Sequence, residues 1–409
     1  MKTYTVITGD TLERISTIAY GTASEVDRIR SANPETSGGL AAGMVLTIPP
    51  GPADASVTLT APAARENEVS VILAGELFRF WTSMAIERSI DSFDQFSLTA
   101  PFEPDELGFR EAFAPLSFQR AELFVGGERL YTGVNPSNVP QVAVDGATVT
   151  AEGYALAGVV NDCPMPGSSF PIEYEDLDLR GIAGQQARPF GLTPVFDAEP
   201  GAPFERVAIN EGGKVLPFWA KLAGQRGLVV GNDEFGQPVF RTESDAAPVQ
   251  LLELGKSPVV SILPEFNPQQ YYSHVTVVTP TFLGVIDGVQ HTVVNPFLRG
   301  VTRPLTFQAE DLQAGEEVTA VNAKMGRMFA NAIAYRVELA GWRNVKGELW
   351  SPNTSVRLLA PRAMVYEDTR FLIRSVTLRR DAAKDVASLL CVLPGAFSGR
   401  IPETLPWLV

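Results

Sequence analysis

The sequence predicts an α+β protein, mainly β, in which a small strand–helix–helix–strand module precedes two β-rich domains that flank a mixed α/β domain. Three observations lead there. The first 51 residues carry a strand pattern at each end and two helical stripes between. Tight glycine turns between short apolar runs recur in 68–165, and strand patterns return in 258–409. Helical spacing concentrates in 166–257. At roughly 100–200 residues per domain, 409 residues accommodate this division and a sizeable core.

Within 1–51, Tyr4-Thr5-Val6 alternates as a strand and Thr8-Gly9-Asp10-Thr11 reads as a turn and helix N-cap. Leu12, Ile15 and Ile18 recur at helical spacing until Tyr20-Gly21. Val26, Ile29 and Ala32 mark a second helix ending at Asn33-Pro34, and residues 43–49 return as a strand. Residues 52–67 have the Pro- and Ala-rich composition of a linker. Gly126-Gly127 and Asp145-Gly146 then each join two strand-like runs, as expected of an antiparallel sheet or small barrel. In 166–257, Leu179, Ile182, Ala183 and Ala187 form one helical stripe. Val215, Phe218, Trp219, Leu222 and Ala223 form another, and a hairpin is expected across 228–240. In 258–409 strands are expected at 275–278, 334–339, 355–360, 371–378 and 387–393. A turn falls at Asp287-Gly288, and Val318, Val321, Met325, Met328, Phe329 and Ala332 define a long helix.

Composition excludes several roles. Lys and Arg total 33 against 47 Asp and Glu, a formal charge of −14. That balance opposes specific nucleic-acid binding, which needs clustered positive charge. Two cysteines and two histidines leave no disulfide scaffold and no His-rich metal centre. The N-terminus lacks a signal-peptide apolar core and no run approaches a membrane span, so retention in a cytoplasm is expected.

Candidate chemistry is thin. Asn161-Asp162-Cys163 is similar to the Asp-Cys start of papain-like cell-wall peptidases, but Pro164 and Pro166 oppose a helix starting at the thiol. His274 lies far away on a strand-like run, so Cys163 reads as a partly buried cysteine at a strand end. Glu173, Glu175, Asp176 and Asp178 read as decoration of a helix start rather than a carboxylate pair or calcium loop. Arg374, Arg379 and Arg380, interrupted by Asp381 and Asp385, read as a docking patch. No P-loop, nucleophile elbow or dinucleotide fingerprint is present, so no catalytic residue, metal or cofactor is expected.

Tyr4-x-Val6-x-x-Gly9-Asp10-Thr11-Leu12, Tyr20-Gly21, Ala32-Asn33-Pro34 and Gly43-x-x-Leu46-x-Ile48-Pro49 resemble a LysM module. The resemblance implies glycan- or partner-binding loops at Gly9, Asp10, Thr11, Leu12, Asn33, Pro34 and Leu40, although turn, cap and core roles explain these residues equally. A second resemblance covers about 330 residues in ordered short blocks. Residues 68–75, 80–83 and 86–91, Tyr131-Thr132-Gly133, and Gly153-Tyr154 through Cys163 come first. Gly341-Trp342-Arg343, residues 347–353, Phe371-Leu372-Ile373 and residues 393–397 follow. These blocks resemble Mu-type contractile-tail baseplate hubs, the late control D-like tail proteins.

That likeness implies two tube-protein-like β-barrel domains and a homotrimer. The trimer would join the tail tube protein to the central spike protein, with baseplate wedge and tape measure proteins as further partners. It places the chain in the virion tail baseplate, assembled in the host cytoplasm. The added LysM module would clip the hub to neighbouring tail proteins, and an acidic lumen would let DNA pass. The alternative is a LysM-anchored peptidoglycan-binding protein or cell-wall hydrolase.

Overall fold

The computed structural model describes residues 2–6, 11–13, 15–16, 26–41, 43–48, 66–78, 80–102, 107–144, 146–210, 212–279, 290–309, 312, 315–381 and 384–408. The chain falls into two compact units, 1–65 and 66–409.

In the first unit, β1 (Lys2–Thr5) pairs antiparallel with β2 (Val45–Ile48), and α1 (Val26–Ala32) lies between them in sequence. Residues 12–13 and 15–16 are helical, where the first helix is expected. Val6, Leu12, Ile15, Ile29 and Leu46 form a small core. Asn33 ends α1 and fastens it to β2. Its Nδ2 donates to the carbonyls of Ile29 and Thr47, both at 2.7 Å, and its Oδ1 accepts from the Thr47 amide at 2.6 Å. Gly9, Asp10, Ile18, Tyr20-Gly21 and most of the linker lie outside the described residues.

The second unit begins with β3 (Val69–Leu73), β4 (Glu76–Phe78), β5 (Ser83–Ser89), β6 (Gln95–Pro101), α2 (Leu107–Ala112), β7 (Gln119–Val125), β8 (Glu128–Ala143) and β9 (Gly146–Ala155). Gly126 and Gly127 take φ of 59° and 85°, the left-handed values a two-residue hairpin loop demands. The next hairpin closes with Ala143 opposite Gly146, so its loop sits one residue earlier than the Asp145-Gly146 pattern suggests.

The middle region holds α3 (Val159–Asp162), β10 (Glu173–Leu177), α4 (Leu179–Ala187), β11 (Val195–Phe196), β12 (Phe204–Ala208), α5 (Val215–Gln225), β13 (Val229–Asn232) and β14 (Pro238–Arg241). Both helices follow their apolar spacing, and Trp219 of α5 is buried with its Nε1 donating to Gln186 of α4 at 2.6 Å. The acidic run 173–176 is strand rather than helix start. Cross-strand pairing with β12 sets Glu175 opposite Arg206, which forms an ion pair with Glu173. Only Asp178 caps a helix, accepting from the Gly181 amide at 2.7 Å.

The remaining elements are β15 (Leu251–Glu253), β16 (Val259–Phe266), β17 (His274–Val278), β18 (Gln290–Val294), β19 (Pro304–Gln308), α6 (Glu317–Ala332), β20 (Ile333–Ala340), β21 (Ser355–Ala360), β22 (Val365–Arg380) and β23 (Asp385–Val392). The turn expected at Asp287-Gly288 is outside the described residues. On α6, Val321, Met325, Met328, Phe329 and Ala332 are buried as spaced, while Val318 in the first turn stays 48% exposed.

Strand makes up 42% and helix 22%, so the protein is mainly β. Strands before and after the middle region share one sheet, in the order β16-β20-β23-β22-β5-β6-β9-β8-β7-β3-β4, with β21 and β15 branching from β22. The joint is β22 against β5, antiparallel from Ser375 opposite Ser89 to Arg380 opposite Met84.

Candidate functional site

The residues around this seam alternate with period two, so their side chains separate onto two faces. Met84, Ile86, Phe96, Leu98, Val376 and Leu378 are buried on one face and feed the main core. The other face is open and polar. Across it, Thr377 stands opposite Glu87, Glu87 opposite Gln95, and Gln95 opposite Tyr154. The next row runs Arg379, Ala85, Ser97, Glu152, and a third runs Ser83, Thr99, Thr150. Small hydroxyls dominate. Arg379 donates to Glu338 at 3.0 Å, whereas Glu87 and Glu152 are exposed without an ion pair among the described residues. The central strip of the face is therefore neutral to acidic, which disfavours retention of phosphate.

The seam is locked beside this face. Arg374 pairs with Asp91, and Arg380 pairs with Asp385 through two contacts of 2.6 Å. The arginines 374, 379 and 380 thus stitch strands together and do not form a free docking patch; their proximity to Asp381 and Asp385 in sequence hid the more distant partners Asp91 and Glu338. Asp94, almost fully buried, accepts from the Ser89 amide and lies 3.4 Å from Arg88, while its own amide donates to Asn232 of β13. Burial outweighs Arg88 and lifts the Asp94 carboxyl to about 6.

The blocks that suggested a hub fall at joints of the fold. A Cβ on Gly153 would lie 2.1 Å from the Val134 carbonyl, and one on Gly133 would lie 2.1 Å from the Tyr131 hydroxyl. Trp342 is buried under Arg380, and Glu243 accepts from the amides of Gly395 and Phe397. Cys163 ends the short helix α3 and is half-buried. Of the LysM-loop residues, Leu12 and Asn33 point into their unit, Leu40 packs against its core, and Thr11 and Pro34 are exposed. Among the described residues no cluster of His, Cys, Asp or Glu is built to hold a metal ion, and no helix is long and apolar enough to cross a membrane.

Residues 157–242 match the family described as baseplate hub protein gp44-like, second domain. Over 328 residues the chain is 24% identical to the baseplate hub protein gp44 of Escherichia phage Mu, spanning 76% of this chain and 84% of that one. The fold is similar to the 43 kDa tail protein of prophage MuSo2 from Shewanella oneidensis, with a TM-score of 0.69 and 25% identity over 81% of this chain and 99% of that one. It is similar also to a tail protein of Neisseria meningitidis, with a TM-score of 0.68 and 18% identity over 81% and 98% of the two chains. In sequence the chain is thus similar to Mu-type baseplate hub proteins, and in fold to phage tail proteins.

Proposed function

We propose that the chain is the structural hub of a contractile phage-tail baseplate, a homotrimeric ring that joins the hexameric tail tube to the trimeric central spike. The observation that carries this reading is the single sheet running through the β5–β22 seam. It turns two β-rich regions into one continuous wall with a polar, cation-poor central strip. Three such walls closing by rotation would enclose a channel of the kind DNA can traverse without being gripped. Wedge and tape measure proteins are the further partners this position brings. The N-terminal unit acts as a LysM-like clip to adjacent tail proteins, and its two inward-facing loop residues, Leu12 and Asn33, favour that structural role over glycan capture.

Native mass measurement with negative-stain imaging tests the reading. A trimer seen as a ring with a central hole supports it. Monomers that form no ring even with the spike protein, and that pellet with purified peptidoglycan, would replace it with the cell-wall-binding alternative.

A further inference from the structure

Helices α5 and α6 flank a cavity of ≈ 160 Å³, walled in part by Gln225 from α5, Lys324 and Arg327 from α6, and Phe307 from β19. That is space for about five water molecules. Lys324 and Arg327 are three residues apart, so the helix sets them on one face. Neither forms an ion pair among the described residues, although most arginines of this acidic chain do. Arg327 donates to the Leu228 carbonyl at 2.6 Å, and the Lys324 ammonium sits 5.6 Å from the Phe307 ring. Partial desolvation of its stem and the adjacent Arg327 charge both lower the Lys324 pKa, although the residue as a whole stays exposed. Lys221 also reaches the wall and has an interaction of its own.

Gln225 supplies the second observation. It is 6% exposed, and its buried Oε1 has no hydrogen-bond partner. An orphaned buried acceptor is costly and calls for a donor. Arg327 already feels the Asp91 carboxylate, so the cavity asks for negative charge chiefly at Lys324 and for a hydrogen-bond donor at Gln225. Inorganic phosphate keeps a P–OH beside its P–O⁻ groups at neutral pH, on one tetrahedral centre, whereas a phosphomonoester is then mostly the dianion. Sulfate and carboxylates are fully ionised at neutral pH and offer no such donor.

We propose that this cavity binds inorganic phosphate, which ties α5 of the middle region to α6. The site is independent of the hub reading and stands or falls separately.

The test titrates the full chain with inorganic phosphate at pH 7, holding ionic strength with sodium chloride, by calorimetry and thermal melting. One site per chain and a higher Tm are expected. Lys324→Gln, at an exposed position, is expected to weaken binding at least tenfold. Gln225→Leu is expected to remove the preference for phosphate over sulfate. If Gln225→Leu does not fold, that preference is read on the unaltered chain alone. Phenyl phosphate, ionised and without a P–OH at pH 7, is expected to bind more weakly than inorganic phosphate; equal binding overturns the proposal. No binding, an equal response to sulfate, or full binding by Lys324→Gln overturns the proposal.

Discussion

Arg374 grips Asp91 through two hydrogen bonds, Nε to Oδ1 at 3.1 Å and Nη2 to Oδ2 at 2.8 Å, across 283 residues of sequence. The side chains are 27% and 20% exposed, so the pair is only partly screened by water. Asp91→Ala should lower unfolding free energy by about 2 kcal/mol, since it strips a charge-assisted, two-point contact from a half-buried guanidinium. The Arg400–Asp245 pair has similar distances but side chains 61% and 72% exposed. Asp245→Ala should therefore cost under about 0.5 kcal/mol. Urea denaturation of both variants checks the contrast; equal losses would mean that burial at the seam contributes nothing.

Asp94 makes stability depend on pH in an unusual direction. Burial raises its carboxyl from the ordinary 3.8 to about 6 despite the neighbouring Arg88. Between those values the folded chain binds a proton that the unfolded chain does not. Stability from this group is complete below pH 4 and declines as pH rises towards 6, by up to about 3 kcal/mol. Asp94→Asn should flatten that part of the stability profile relative to the parent. Parallel profiles for the two proteins from pH 4 to 6.5 would show that Asp94 titrates normally.

Gly153 occupies a place that no side chain fits. A Cβ there would approach the Val134 carbonyl to 2.1 Å and Phe96 Cε1 to 2.4 Å, and Val134 belongs to the paired strand β8. The Val134 carbonyl cannot withdraw without opening the β8–β9 ladder, and the Phe96 ring of β6 is itself buried in the core. Gly153→Ala should cost about 3 kcal/mol or more, at the upper end for overpacking. Gly146→Ala, on the same strand with open space around it, is the control and should change little. Thermal melts of the two variants decide the matter.

Much of this architecture was legible because local chemistry declared it. Phe218, Trp219 and Leu222 fall on one helical face, and Gly126-Gly127 supplies the φ values of its loop. The acidic run 173–176 misled because carboxylates at a helix start and on a strand look alike until Arg206 appears opposite them. The β5–β22 seam was invisible for a different reason. The alternation Ser83-x-Ala85-x-Glu87 declares a strand with one polar face, but carries nothing about a partner strand far along the chain. The cavity by Gln225 was hidden likewise, since its wall combines separate helices with β19.

Charge on the open face bears most directly on the hub reading. Glu87 and Glu152 are exposed on that face, and their near neighbours Gln95, Ser97 and Thr377 are uncharged. Replacing both with lysine should leave stability within about 0.5 kcal/mol per site, because neither carboxylate holds an ion partner among the described residues. If the face lines the channel, every chain of the ring then presents cations to passing phosphates, and each contact must be broken for DNA to advance. Particles carrying Glu87→Lys and Glu152→Lys should assemble normally yet release DNA several-fold more slowly, with the defect easing as salt rises. Glu87→Gln with Glu152→Gln should release DNA at nearly the parental rate, because loss of repulsion is a weaker change than added attraction. Release kinetics of the lysine particles equal to the parent at low salt would remove this face from the DNA path.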